Sequence, residues 1–587
     1  MSFANIIPIR RMPADRPWLT YRVPDELKVM PGMLVTIPLR GRGILGVVWS
    51  LEPDQSSQYK IQDITAIHFS YPLMTKFQMQ VCDIMADTGA VSLGTVLFSM
   101  LPKITLRSYK KIFSTELPEQ KKNLATPAIA EHLWYRDRRE GLTWLQKQTA
   151  SNKNSSTLII TPTVQDIKEI ISIIEASGQS CCEVDADITP TAFAKIYQRV
   201  LCGEQLVIIG TLKALALPWP KLPHIILDQE EHHAHKQTAQ HPRYDARVVL
   251  RVLSQPWSYT TPAPSLITWS QQAIQAPTPF ERQLTSLQRP GAFSWLTDET
   301  ITLIEDCIAN KKTVICIAPR RGYASASVCK SCGTAQTCPT CGQRTALFRG
   351  TNDQAVCHFC KTSVSLHVIC PVCQSTNWTV RGLGLEQVVA LSQERWPEAT
   401  VTPIVSSDVP ADIAVDSYLA YHQIRKIKNV GAIIVVSGDS LLSLPDYSTA
   451  ERAWQYLARL QAESPHVPMI VQTFNPEHTF WQRWLHGDDQ TWYTSELADR
   501  QRLHLPPSVT QWVAHYHGDE KVFHTVEQEL IKKYTGRLDI RPLPNSRQRS
   551  QRLLLTFTDA KLVDQLPWLE LFSNDWQLDK FPQSWLD

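Results

Sequence analysis

The chain has 587 residues and a mass of 66.6 kDa, too much for one ordinary core, and this length implies roughly three to five domains. With 43% hydrophobic and 20% charged residues it is read as a soluble globular protein and not as a disordered one. No stretch approaches the roughly 18 uninterrupted apolar residues of a membrane span. The opening MSFANIIPIRRMPAD carries its arginines after its apolar run, the reverse of a secretory signal. The net charge of +3 is uneven: residues 1–125 hold 15 Lys/Arg against 10 Asp/Glu, which makes the N-terminal part the candidate for a polyanionic partner.

In chain order, Pro31-Gly32 precedes MLVTIPL, and Gly41 and Gly43 lead into ILGVVW, two strands of a small β-rich domain followed by a helix from Met74 to about Thr88. A basic connector follows, in which Lys103, Arg107, Lys110 and Lys111 are the candidate phosphate contacts. From about 125 the rhythm turns α/β, with strands expected at STLIITP, EQLVIIGT, PHIILDQ and SLITWS. A helix is expected at TVQDIKEIISIIEASG, with Gly178 at its C-terminal cap. A second set of strands lies at KKTVICIAP, VGAIIVVSG and PMIVQTF. Such strands, buried on both faces and separated by helices, imply parallel sheets. The domains are placed at 1–105, 106–125 (connector), 126–290, 291–480 with an insert at about 325–380, and 481–587.

The insert carries the strongest chemical signal. Cys329/Cys332, Cys338/Cys341, Cys357/Cys360 and Cys370/Cys373 form four CxxC pairs. Each tetrahedral Zn²⁺ takes two such pairs, so two structural, all-thiolate sites are expected. Redox dithiols are the competing reading, and four copies in one short insert weigh against it. Cys82, Cys181, Cys182, Cys202, Cys307 and Cys316 are scattered in apolar context and read as reduced thiols. The run His232-His233-Ala234-His235 has no cysteine or acid at ligand spacing and is read as a partly exposed helix or loop.

From Arg320, RRGYASASVCKSCGTAQTCPTCG resembles the zinc insert of the primosomal protein N′ (PriA) family, bacterial replication-restart helicases. Pro31-Gly32 through Val48 resembles that family's 3′-end-binding domain. DQEEHHAHKQ (228–237) resembles its DEEH box and KQ pair, PRYDAR (242–247) its PRYxAR, and GTLKAL (210–215) its GTRSAL. LPDYSTAER (444–452), QTFNPEH (472–478) and ELADRQRLHLPP (496–507) follow in family order. The resemblance implies two RecA-like parallel-sheet lobes, with the cysteine insert in the second, between the β-rich N-terminal domain and an α+β C-terminal domain. It pairs Cys329, Cys332, Cys370 and Cys373 on one ion and Cys338, Cys341, Cys357 and Cys360 on the other. Implied partners are branched or single-stranded DNA, primosome and replicative-helicase-loading proteins, and single-strand-binding protein, in a bacterial cytoplasm at the nucleoid and with no membrane.

The departures concern the motor. No G-x-x-x-x-G-K-[ST] occurs, and LWYRDRREGLTWLQ (133–146) stands in its place. Asp228 is followed by Gln229, an amide that cannot accept a proton, so these two residues are read as what remains of a nucleotide site. TWSQQ stands for GSATP. QVAGRAGR has become LARLQAES (457–464), whose Arg459 is read as a surface residue. The family's Phe-Asp-Tyr appears as Leu19-Thr20-Tyr21, without the acid that contacts a terminal 3′ hydroxyl. The resulting expectation is a fork-recognising restart protein that is not an enzyme and does not use ATP/Mg²⁺. The alternatives are an active helicase with atypical nucleotide contacts, or a zinc-containing nucleic-acid-binding protein of repair or regulation.

Overall fold

Antiparallel pairing of β1 (Ser2–Pro8), β2 (Leu19–Val23), β3 (Leu34–Leu39), β4 (Arg42–Glu52) and β5 (Ala66–Ile67) builds the N-terminal sheet in the order β2-β1-β4-β3-β5. Gly46 lets β4 lie against β1, since a Cβ there would come 2.6 Å from Ile6 Cγ2. In this computed structural model, residues 1, 11, 13–16, 53–60, 114–129, 153–154, 222, 239–242, 254–255, 272–282, 287–294, 320–325, 333, 335, 338–344, 349–353, 358–361, 366–368, 382, 404–410, 418–423, 425–426, 428, 445, 544–549, 567–574 and 586–587 lie outside the description.

Three helices follow: α1 (Lys76–Thr88), α2 (Leu93–Met100) and α3 (Leu106–Ile112), whose N-termini are capped by the hydroxyls of Thr75, Ser92 and Thr105. Val81, Leu97, Tyr109 and Phe113 on these helices enter one apolar core with Phe193 and Tyr197 of the next unit. The basic segment therefore begins as an anchored helix, held by the Tyr109 hydroxyl donating to Pro102 O at 2.7 Å.

The first parallel sheet takes β6 (His132–Trp134), β7 (Thr157–Ile160), β8 (Cys181–Val184), β9 (Val207–Gly210), β10 (His224–Leu227) and β11 (Ser258–Thr261) in the order β6-β11-β10-β7-β9-β8. Helices α4 (Arg138–Ser151), α5 (Val164–Ala176), α6 (Pro190–Leu201) and α7 (Ala246–Val252) supply its crossovers. SLITWS is not a strand. It forms α8 (Leu266–Gln271), because Ser265 Oγ accepts from the Thr268 amide at 3.3 Å and so starts a helix. The neighbouring strand is instead β11, SYTT, a segment that the sequence pattern does not mark. The polar Thr260 and Thr261 belong to the cleft described below.

The second parallel sheet takes β12 (Gln283–Ser286), ahead of the expected start at 291, and β13 (Thr313–Ala318), reached through α9 (Asp298–Ala309). The insert contributes β14 (Ala326–Cys329), β15 (Thr345–Phe348), β16 (Gln354–Cys357), β17 (Ser363–Ser365) and β18 (Trp378–Arg381) as two small antiparallel sheets. The chain then returns through α10 (Leu385–Arg395) to β19 (Val401–Pro403), β20 (Ile413–Ser417), β21 (Val430–Val435) and β22 (Met469–Thr473), giving the order β12-β22-β21-β13-β20-β19. The C-terminal sheet pairs β23 (Thr510–Tyr516), β24 (Leu538–Leu543), β25 (Gln551–Phe557) and β26 (Trp576–Asp579) antiparallel as β24-β25-β23-β26.

The two lobes share an aromatic core. Trp134 and Leu266 from the first pack in one buried cluster with Trp454, Trp492 and Tyr493 from the second lobe and the helix after it. The Trp454 and Trp492 rings stack at 4.4 Å. No helix among the described residues is long and apolar enough to cross a membrane.

Candidate nucleic-acid interface and interlobe cleft

The cleft between the lobes is built on the carboxyl ends of β6, β7 and β10, where an open α/β sheet places its ligands. Asp228 follows β10 and is fully buried. Arg138, in the first turn of α4, meets it with two hydrogen bonds of 2.6 and 2.7 Å. Asp166 lies 3.9 Å and Glu169 3.6 Å from the same guanidinium. Burial works against the Arg138 charge, but Asp228 and then Asp166 hold it well above the usual guanidinium range. Thr260 donates to Asp228 at 2.6 Å, which is why the polar strand β11 lies beside β10 inside the sheet.

The stretch replacing the phosphate loop is a three-residue turn, Tyr135 to Asp137, capped by Asp137 accepting from the Arg139 amide. The Tyr135 ring lies so close to Gly141 that a Cβ there would stand 3.0 Å from it. Gln229 adopts φ +52°, a conformation uncommon outside glycine. Its amide donates to Asp166 at 3.0 Å, while its Oε1 is buried without a hydrogen-bond partner.

Ion pairs also cross between the lobes. Arg459, expected at the surface, is buried. It donates to Glu231 at 2.7 Å, because the helix Thr449–Glu463 presents that face to the first lobe. Burial raises the Glu231 carboxyl above its ordinary range, although Arg459 pulls against this. Arg136 pairs with Asp489, which also accepts from Trp454 Nε1 at 2.9 Å. The histidine run forms a single 3-10 turn, His233–His235. His235 is buried and faces the carbonyls of Asp228 and Gln229 at 2.9 and 3.1 Å.

In the insert, the four thiols Cys329, Cys332, Cys370 and Cys373 converge, with all four Sγ atoms within 4.8 Å of one another. The separations Cys329–Cys373 and Cys332–Cys370 are 3.5 and 3.6 Å. Those spacings fit the edges of a tetrahedron of Zn–S bonds of about 2.3 Å. Pairing of β14 with β18 brings the two knuckles together. Cys338, Cys341 and Cys360 lie outside the described residues. Cys357 ends β16.

The four candidate phosphate contacts Lys103, Arg107, Lys110 and Lys111 are all exposed on and beside α3. None makes a side-chain ion pair with a described residue. Lys103 lies 4.8 Å over the partly exposed Phe98 ring. Lys213 joins them, unforeseen. Burial and then the Lys103 charge lower its ammonium, although Asp185 raises it. Its signal was present in GTLKAL, where the family's arginine is Leu212 and a cation follows one residue later.

Two parallel-sheet lobes thus share a cleft, with a cysteine-rich insert in the second and an exposed basic face beside the N-terminal domain. The profile of the PriA 3′DNA-binding domain (3′BD) matches residues 9–102. Replication restart protein PriA of Rickettsia conorii is 23% identical over 562 residues, 83% of this chain and 83% of that one. PriA of Bacillus subtilis is 25% identical over 354 residues, 53% of this chain and 43% of that one. The structure of RecG bound to a three-way DNA junction is 10% identical with a TM-score of 0.33, across 72% of this chain and 52% of that one. Over most of its length the chain is thus similar to replication restart proteins of the PriA type, and its N-terminal part matches their 3′DNA-binding domain. This similarity overturns the expectation of a non-enzyme: the matched relatives are PriA proteins, the group that the sequence resemblance identifies as replication-restart helicases, and altered cleft motifs are not evidence of lost turnover.

Proposed function

We propose that this chain recognises stalled or branched forks through their single-stranded segments and helps reload the replication machinery. The observation that carries the reading is the exposed, ion-pair-free basic surface of Lys103, Arg107, Lys110 and Lys111 beside the domain that matches the 3′DNA-binding profile. Phosphate binding needs such localised charge, without carboxylates of the same chain competing for it. At the family's terminal-hydroxyl position the Thr20 hydroxyl donates to Asn5 at 2.8 Å. Contacts to the strand backbone therefore carry more of the binding than an acid–hydroxyl contact. The loading proteins, the primosome and single-strand-binding protein are the protein partners of this reading, acting at the nucleoid in the cytoplasm. The domain limits 1–105, 126–290, 291–480 and 481–587 are the units that would carry these roles, with the second limit moved ahead of β12. Two structural Zn²⁺ ions are part of it, held by Cys329/Cys332/Cys370/Cys373 and by Cys338/Cys341/Cys357/Cys360.

The test is a salt titration of binding to a forked duplex with a single-stranded arm. The Lys103→Ala/Arg107→Ala/Lys110→Ala/Lys111→Ala variant should bind more weakly, with a log–log salt slope lower by roughly 0.7–0.9 per lost contact. An unchanged slope would mean that the face touches no phosphate.

A further inference from the structure

A second cavity, of about 780 Å³, opens where the first lobe, the second lobe and the C-terminal unit meet. Neither Asp228 nor any residue of the Tyr135–Leu142 stretch lines it, so it is separate from the cleft of the Arg138–Asp228 pair. Its volume falls within the roughly 300–1,000 Å³ typical of small-ligand sites.

The charges on its wall do not cancel. The three acids that line it are each already paired: Glu231 with Arg459 at 2.7 Å, Asp245 with Arg247 at 2.7 Å and Glu451 with Arg500 at 3.0 Å. Two lining guanidiniums have no carboxylate within ion-pair distance among the described residues. Arg251, on α7 of the first lobe, donates to the neutral Thr268 hydroxyl 3.0 Å away, while Glu230 and Asp245 favour its charge from beyond ion-pair distance. Arg452, in the first turns of the helix Thr449–Glu463, has no side-chain hydrogen bond or ion pair among the described residues. An enclosed guanidinium is costly unless something shares its charge, and Arg forks suit phosphate oxygens in particular. At the rim, Phe581 is 38% exposed and offers a ring on which a base can stack.

We propose that this cavity binds a phosphate-bearing ligand of nucleotide size, its phosphate held by Arg251 from one lobe and Arg452 from the other. Such a ligand ties the lobes together from the side facing the C-terminal unit.

The experiment uses the full chain with its metal. Three probes are titrated calorimetrically: inorganic pyrophosphate, thymidine 5′-monophosphate and a 5′-phosphorylated thymidine tetranucleotide. Hydrogen exchange at saturation locates each site. At least one probe should bind saturably and protect residues 246–252 and 449–453, with a dissociation constant raised tenfold or more in Arg251→Gln/Arg452→Gln. Arg452→Gln alone, at a residue without a side-chain partner among the described residues, should raise it about threefold or more, and Arg452→Lys should raise it less. Losses for the tetranucleotide alone would identify the natural source as a strand, and losses for the small phosphates would identify a free nucleotide. No saturable binding, protection confined to other segments, or equal affinity in the double variant would overturn the proposal.

Discussion

Replacing Arg138 by methionine removes a cation held among three carboxylates while keeping most of its volume. Asp228 loses hydrogen bonds of 2.6 and 2.7 Å, and Asp166 loses a charge 3.9 Å away, both at fully buried positions. Breaking a buried pair from one side leaves an uncompensated charge and costs about 3–5 kcal/mol. The cost falls first on the local opening of β7 and β10, whose ends hold these groups. Amide exchange at Ile159 and Ile226 should therefore quicken by about a hundredfold or more, since each 1.4 kcal/mol is tenfold. Asp228→Asn should cost less: Thr260 still lies at 2.6 Å, and Arg138 keeps Glu169 at 3.6 Å as well as Asp166. Exchange in Arg138→Met within threefold of the parent, or Asp228→Asn the more damaging of the two, would refute the reasoning.

Cys332→Ser should lower the zinc content by one ion per chain and melt the β14–β18 pairing, read by metal analysis and by exchange in residues 326–332. Burial and the nearby Arg243 push the His515 imidazole down to about 3. Between about pH 6.5 and 3 the unfolded chain then binds a proton that the folded chain does not, so stability is lost as pH falls through that window. His515→Gln should flatten the dependence, as measured by denaturation of the C-terminal unit from pH 7 to 4. Gly438→Ala would set a Cβ 2.7 Å from Val471 Cγ1 and 2.8 Å from the Trp481 ring. It should cost about 1–3 kcal/mol by overpacking, seen as a lowered melting temperature.

Much of the architecture is written in local pattern. The apolar runs of β7, β9, β10, β13, β21 and β22 can only be strands buried on two faces, and Gly178, expected at the end of α5, follows its cap residue Ser177 with φ +80°. The four CxxC pairs likewise announce metal-type chemistry before any fold is known, because two thiolates in one tight turn need no distant residue to face the same way. What failed, failed where distant residues decide. SYTT has no apolar run to announce a strand, and its threonines donate to Asp228 and Glu231 at 2.6 and 2.9 Å, partners that only the fold supplies. SLITWS reads as a strand until Ser265 caps it. Arg459 reads as a surface residue because its partner, Glu231, lies 228 positions earlier. Arg138, Lys213 and the paired wall of the second cavity are of the same kind. Sequence sets which charges exist, but whether a guanidinium meets a carboxylate, a hydroxyl or nothing depends on how the lobes close on each other, and only the tertiary structure decides that.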